Sequence, residues 1–481
     1  MDYDLVVIGA GPAGMAAAAE GADLGLTVLL LDEQPQAGGQ IYRRVQQASP
    51  QAARVLGSDY LEGRALVERL DASGAHTQFG AFVFDVSPQL EVSFQAGGAF
   101  RQVRAKHLII ATGAMERASP FPGWTLPGVM TAGAAQIALK ADAVMPSGRI
   151  ALAGCGPLLL LVAQQLLRAG ATLTAVIETG EPHNLRRAVG KLPAALRAQR
   201  DLRKGAAMLW GIWAGRLPWF RSATDLHAVG TERLRAVQFQ HRGTRKELEI
   251  DTLLVHHGVL PNHQLTRLLG LAHRWNTQQL AWEVVCDAFG QTSRPGISVA
   301  GDGASIAGAK AAAVRGALAA IGAARALGRP APAPREQQIR VELKRHTAIR
   351  PFLDALYRPP GWIEHPADAT TICRCERVSA GTIREMADLG CAGPNQTKFF
   401  SRCGMGPCQG RVCGTPVSQL LAQRTGLGVE QIGAYQIRAP LKPLPLSLIA
   451  SFNPDATSSP TRQPCTPNHN ASTATPASAK S

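Results

Sequence analysis

No two cysteines in the chain stand in C-x-x-C spacing, so the dithiol that disulfide reductases use for catalysis is missing. No apolar run reaches the roughly 18 to 20 residues that a bilayer crossing needs; LLLLVAQQLL is interrupted by Gln164 and Gln165. The opening MDYDLVVIGAG is acidic and passes straight into a strand, so a secretory leader is not expected. Acids are also scarce, 35 against 50 lysines and arginines, which leaves a net charge of +15. Yet there is no basic arm, zinc-finger spacing or RNA-binding signature, and nucleic acid is set aside as a partner. The charge points instead to an acidic protein or a membrane surface.

What remains is a chain of 481 residues, 46% apolar and 18% charged, long enough for two to four globular domains. Residues 4–14, DLVVIGAGPAG, read as a buried strand entering a turn with Gly9, Gly11 and Gly14. The Ala-rich helix MAAAAEGADLG follows, then a second strand, TVLLLDE. This is the dinucleotide fingerprint in its required setting. Gly9 makes the turn tight, Gly11 lets backbone approach a pyrophosphate, and Gly14 lets helix and sheet pack closely. The helix N-terminus supplies free N–H groups for the anion. Asp32, with Glu33 beside it, stands eighteen residues past Gly14, placed for ribose hydroxyls.

Three further stretches favour FAD over NAD. QAGGQIY carries Gly39 and Gln40 in a glycine loop after the second strand, and HLIIATGA ends in the small residues Thr112 and Gly113. GISVAGDGAS presents Gly301 and Asp302. The spread from residue 9 to residue 302 resembles the two-dinucleotide-binding-domain flavoproteins, in which the aspartate matching Asp302 contacts the ribitol.

Residues 149–178 repeat the pattern with Gly154, Gly156 and Glu178, but Leu159 replaces the third glycine. A leucine there pushes helix and strand apart, so NAD(P) reduction is not expected. An adenine nucleotide, another phosphate ligand or nothing remains open. AAMLWGIWAGRLPWF is read as core rather than a partner anchor. His256 and His257 have no carboxylate or cysteine at ligand spacing and are read as structural. Cys155 and Cys286 are read as packing residues.

GRPAPAPREQQ marks a linker. Beyond it five cysteines lie in two groups, Cys373-x-Cys375 and Cys403 to Cys413. Four thiolates presented in pairs by loops beside helices suit a 2Fe–2S cluster. Structural zinc more often uses C-x2-C pairs, and a reducing cytosol disfavours disulfides. The expected ligands are Cys373, Cys375, Cys408 and Cys413, with Cys403 spare and Cys391 packing. Gly404, Gly406, Gly410 and Gly414 are expected to leave room near the sulfurs. Cys465 lies in a Thr/Pro/Ser-rich tail expected to be disordered.

ICRCERV…GPNQTKFFSRCGMGPCQGRVC, LLLDEQPQAGGQIYR, ATGAMERASPFPGWTLPGVMTAGAAQ and GCGPLLLLVAQQLLRAG together resemble the alpha-type flavoproteins of heteromeric amine dehydrogenases. That family includes the A subunit of opine oxidase, the alpha subunit of D-hydroxyproline dehydrogenase and the B subunit of hydrogen cyanide synthase. The resemblance covers residues 1 to about 445. It implies an α/β fold of two glutathione-reductase-like Rossmann units with a small helical C-terminal domain like bacterioferritin-associated ferredoxin. The bounds expected are 1–145 and 266–330 for the FAD domain, 146–265 for the second nucleotide fold, 331–367 for the linker, 368–445 for the cluster domain and 446–481 for the tail. It implies FAD, a 2Fe–2S cluster and a beta subunit like D-amino-acid oxidase that oxidises a secondary amine or imino acid. It also admits FMN at the subunit interface, a small ferredoxin-like subunit, and a cytoplasmic location with attachment to the inner membrane face. No catalytic residue is assigned, because no acid–base pair for attacking an amine is evident. The competing readings are a self-contained NAD(P)H-dependent FAD/iron–sulfur reductase and a redox-inert scaffold holding zinc.

Overall fold

The computed structural model describes residues 2–451, without the side chains of 213 and 214. Strand Asp2–Ile8 runs parallel to Val28–Asp32 on one side and to the second half of Ala99–Ile110 on the other. Flanked by strands and covered on both faces, its second half, Leu5 to Ile8, is an unbroken apolar run. His76–Phe79 extends the sheet at one edge, and Ile297–Val299 returns from far along the chain to pair with Ala99–Ile110. The first half of Ala99–Ile110 pairs antiparallel with Glu91–Ala96, which pairs with Phe82–Val86. One long strand thus joins a parallel nucleotide sheet to a meander.

Helix Pro12–Asp23 is almost pure alanine and glycine because it lies against both the sheet and helix Ala309–Ala326. A methyl on Gly316 would come within 1.9 Å of the Ala13 carbonyl oxygen, so the two helices touch backbone to side. The second sheet is fully parallel, in the order Trp219–Phe220, Leu173–Glu178, Ile150–Gly154, Thr252–His256, Val129–Thr131. Leu159 is buried in its core, beside Leu152, Val176 and Ile212. In AAMLWGIWAGRLPWF, Met208 and Ile212 are core as expected, but Trp210 is exposed.

The stretch 331–367 is not an extended linker. It forms helices Ala333–Thr347 and Arg350–Leu356, each with proline in its first turn. Proline suits that position, where its missing N–H would be unpaired anyway, so the Pro/Ala composition marks a helix start. Residues 371–432 build two short strands and four helices, whose apolar residues join the buried cluster under the meander. Trp124 Nε1 donates to the Thr371 carbonyl at 2.7 Å, and Leu441 N donates to Phe84 O at 2.9 Å. In the expected tail, Leu446–Ala450 is a short helix; Cys465 and the rest of the disorder expectation lie outside the described residues.

Gly316→Ala is predicted to lower stability by about 1 to 3 kcal/mol through overpacking against Ala13. Denaturant unfolding of the purified chain checks this; an unchanged midpoint would show that the helices can separate freely.

Candidate functional site

The first glycine turn opens on a cavity of about 550 Å³, within the range of cofactor pockets. Its three closest-approach positions behave differently. Methyls on Gly9 and Gly14 would strike Ala111 O at 2.5 Å and Gly9 O at 1.7 Å, so these glycines serve the fold. Gly11 has ordinary extended backbone, φ −74°, and nothing nearer than the Gly39 Cα at 3.9 Å. Its missing side chain is therefore room for a ligand. Gly113 also faces open space, and Gly39, at φ +59°, packs against Gly11. Gly301 does not line the cavity; it lets Ala13 approach, at 2.6 Å from a would-be methyl.

The acids are held in place by backbone. Asp32 accepts from Ala10 N at 2.5 Å and Gln34 N at 2.7 Å. Burial pushes its carboxyl up, against those two N–H groups. Glu33 is paired with Lys442 from the C-terminal segment. Asp302 Oδ1 accepts from Ala307 N at 2.8 Å and Gly308 N at 3.0 Å, which fixes the side chain at the cavity it lines. Thr112 donates to Asn262 O at 3.3 Å, and Gln40 accepts from Arg43 at 2.8 Å. Arg411, Leu441 and Lys442 complete the wall. None of the three is expected from the sequence; the one clue is that Arg411 lies between Cys408 and Cys413.

The cysteines gather as a trio and a pair. The Sγ atoms of Cys373, Cys403 and Cys413 lie within 4.8 Å of one another. The Cys403 and Cys413 thiols donate to Cys373 and draw it down to about 2, while Cys403 is pushed up to about 12 because its proton is engaged there. Burial and the Cys408 thiol push Cys375 up, against a backbone N–H from Cys408 that draws it down. Cys403, expected to be spare, is thus inside the trio. Three sulfurs gathered in one buried place fit part of a metal or cluster ligand set. The glycines act otherwise than expected. Methyls on Gly404 and Gly410 would meet the Tyr435 ring at 2.7 and 2.6 Å, and Gly414 faces it at 3.4 Å. Only Gly406 faces a sulfur, 3.0 Å from Cys375 Sγ. Tyr435 donates to Cys403 O at 2.9 Å and so locks the loop. Cys391 and Cys155 are buried, whereas Cys286 is exposed.

Residues 3–324 match the pyridine nucleotide-disulphide oxidoreductase family and residues 372–452 the sarcosine oxidase A3 domain. The A subunit of opine oxidase from Rhizobium meliloti (strain 1021) is 41% identical over 452 residues, 94% of this chain and 99% of that one. The chain belongs to this opine oxidase family. The HcnB subunit of hydrogen cyanide synthase from Pseudomonas aeruginosa is 33% identical over 473 residues, 95% of this chain and 100% of that one. The alpha subunit of sarcosine oxidase from Rhizobium meliloti is 27% identical over 339 residues, 68% of this chain but 31% of that one. L-proline dehydrogenase from P. horikoshii shares the fold, with a TM-score of 0.71 at 21% identity over 93% of this chain and 79% of that one. The family makes the chain a flavoprotein oxidoreductase, and the cavity fits the flavin nucleotide that it implies.

In this family member the second nucleotide turn is bordered by its own chain. Methyls on Gly154 and Gly156 would strike His256 O at 1.8 Å and His256 Nε2 at 3.0 Å, so strand packing explains both glycines. Glu178 accepts from Trp219 Nε1 at 3.0 Å. Across the turn, Asn184 donates to Arg358 O at 3.2 Å and Gly361 N donates to Glu181 at 2.8 Å. His256 does have a carboxylate partner, Glu116, at 2.8 Å, which sequence spacing conceals because 140 residues separate them. His257 reaches Thr179 at 3.0 Å and stacks edge-on to Trp362.

Gly11→Val is predicted to fold, since its backbone tolerates a side chain, and to purify without bound flavin. Retained yellow colour would remove Gly11 from the cofactor cradle. A second prediction concerns pH. Burial lowers His107 and His273 to about 4 and His257 to about 3, from 6.5. Each is neutral when folded and protonates when unfolded below 6.5, so unfolding takes up protons. Stability is therefore fully present above 6.5 and lost as pH falls towards 4. A urea midpoint that is no lower at pH 5 than at pH 7 would contradict this.

Proposed function

We propose that this chain is the FAD- and 2Fe–2S-containing electron-transfer subunit of a heteromeric dehydrogenase. Its partner, a beta subunit like D-amino-acid oxidase, would oxidise a secondary amine or imino acid of the opine, D-hydroxyproline or glycine kind. The observation that carries the reading is Arg411. It lines the large cavity, and its Nη1 donates to the Cys408 carbonyl at 3.1 Å. A single side chain therefore spans from the nucleotide cavity to the cysteine loop. FAD, when bound, supplies two-electron chemistry and a 2Fe–2S cluster supplies one-electron transfer.

The chain's own residues hold and orient these groups. Gly11, Gly39 and Gly113 leave the cofactor room, and Asp32, Glu33 and Asp302 offer acceptors for its hydroxyls. Cys373, Cys375, Cys408 and Cys413 are the proposed cluster ligands, with Cys373 and Cys413 buried and Cys375 exposed at the rim. No acid–base pair is assigned to the amine in this chain. Glu116 lines the cavity and meets His256, and both are held in place by their partners, Glu116 also accepting from Gly133 N at 2.6 Å. Residues 358–361, lying over the second turn, weigh against a nicotinamide donor. The names of the relatives, each a subunit, support a heteromer. So do Phe399 and Phe400, 74% and 67% exposed on the helix that leads to Cys403. Paired exposed aromatics suit an interface. No described helix is long and apolar enough to cross a membrane; the reducing cytoplasm is the proposed location, because thiolate ligands persist there.

Metal and sulfide analysis of anaerobically purified protein, with spectra of two variants, tests this reading. Iron and acid-labile sulfide are expected in equal amounts. Cys408→Ser should lose the cluster absorbance and keep the flavin, whereas Cys403→Ser should keep both, because the two pairs already supply four thiolates and Cys403 is a fifth sulfur beside Cys373 and Cys413. The isolated chain should not oxidise amines until the partner is added. Zinc in place of iron, or an unchanged Cys408→Ser spectrum, would defeat the assignment.

A further inference from the structure

Between the large cavity and the cysteine loop lies a second chamber of about 60 Å³. At roughly 10 to 15 Å³ for each water-sized occupant, it holds about four small species. It shares Met115, Asn262, Gln264 and Arg411 with the large cavity, while Gly410, Gly414 and Tyr435 form its far wall. No acidic residue lines it, yet two guanidinium groups do, those of Arg267 and Arg411. Neither forms an ion pair among the described residues. Arg411 is bonded only to the carbonyls of Cys408 and Leu441, at 3.1 and 2.7 Å. Arg267 lies 4.7 Å over the Trp282 ring.

Four polar atoms lining this chamber are buried without a partner: Arg267 Nη2, Trp282 Nε1, Gln264 Oε1 and His263 Nε2. Trp282 is 8% exposed, so its indole N–H has no recourse to bulk water. Two of the four are obligate donors, one carrying positive charge. An unpaired donor and a buried cation without an acidic partner, side by side at this chamber, are both costly, and one ligand relieves both.

We infer that this chamber is a binding site for a small monovalent anion, of the size of chloride, bromide or formate, accompanied by ordered water. The anion accepts from Arg267 Nη2 and Trp282 Nε1. The water donates to Gln264 Oε1 and to His263 Nε2, on a ring also hydrogen-bonded to the Trp282 backbone. An anion there offsets the charge of Arg267 and Arg411 at the wall between the two proposed redox groups. The site depends only on residues of this chain, so it stands or falls separately from the identity of the metal.

Bromide is the probe. Crystals of the full chain grown in bromide should show an anomalous peak within hydrogen-bond distance of Arg267 Nη2 and Trp282 Nε1. Calorimetric titration of the full chain with sodium bromide should saturate. Arg267→Gln should weaken that binding by about tenfold or more, as loss of a charge-assisted hydrogen bond predicts. Trp282→Phe, which keeps the ring's bulk, is the second variant should Arg267→Gln fail to fold, and it should weaken binding in the same direction. Water alone in the chamber, a peak at crystal concentration without saturable heat in solution, or equal affinity in a folded variant would each overturn the inference.

Discussion

Two features of the molecule depend on how closely its backbones approach one another: the nucleotide cavity and the seat of the cysteine loop. At the first turn, Gly14 packs on Gly9 and Gly316 on Ala13, so the fold closes around positions that admit no side chain. Only where that closeness stops, at Gly11 and Gly113, does space for a ligand appear. At the cysteine loop Tyr435 fills the space left by Gly404 and Gly410, and its hydroxyl fixes the Cys403 carbonyl. The thiols are thereby brought together by an aromatic ring rather than by their own spacing. Protein interiors transmit such constraints because they are close-packed.

This arrangement links the parts of the molecule into one packed unit. Trp124, from the segment between the two nucleotide folds, holds Thr371, two residues before Cys373. Lys442 reaches back to Glu33 at the end of the second strand, and Arg411 joins the cavity wall to Cys408. The cysteine domain is therefore seated on the meander by a shared apolar core and pinned by polar contacts at its rim. The second nucleotide fold packs against the rest of the chain. Its turn glycines accommodate His256, its acid holds Trp219, and the segment after the proline-rich stretch lies over its mouth.

Much of this is legible in the residues. The strand–glycine–helix–strand–acid order points to the first cavity because Gly9 and Gly14 answer local steric demands while Gly11 leaves room. Leu159 marks the second turn as different, and it is indeed core. What misleads follows one pattern. The proline-rich stretch looks like a linker because composition does not reveal whether a proline starts a helix. Gly404 and Gly410 look like ligand space because a sequence cannot name the side chain that fills a gap. Glu116 is hidden as the partner of His256 because strand pairing, not spacing, brings them together.

Residue order alone specifies the first nucleotide turn, the altered second turn and the absence of a redox dithiol, which follow from short-range periodicity and spacing; the helical cysteine domain is what the family resemblance implies. Packing in three dimensions adds that Cys403 joins Cys373 and Cys413, that Arg411 borders the cavity, and that two arginines without an acidic partner line a second chamber. Those facts rest on contacts between residues far apart in the chain. Such contacts are set by how whole elements pack, which no local pattern encodes.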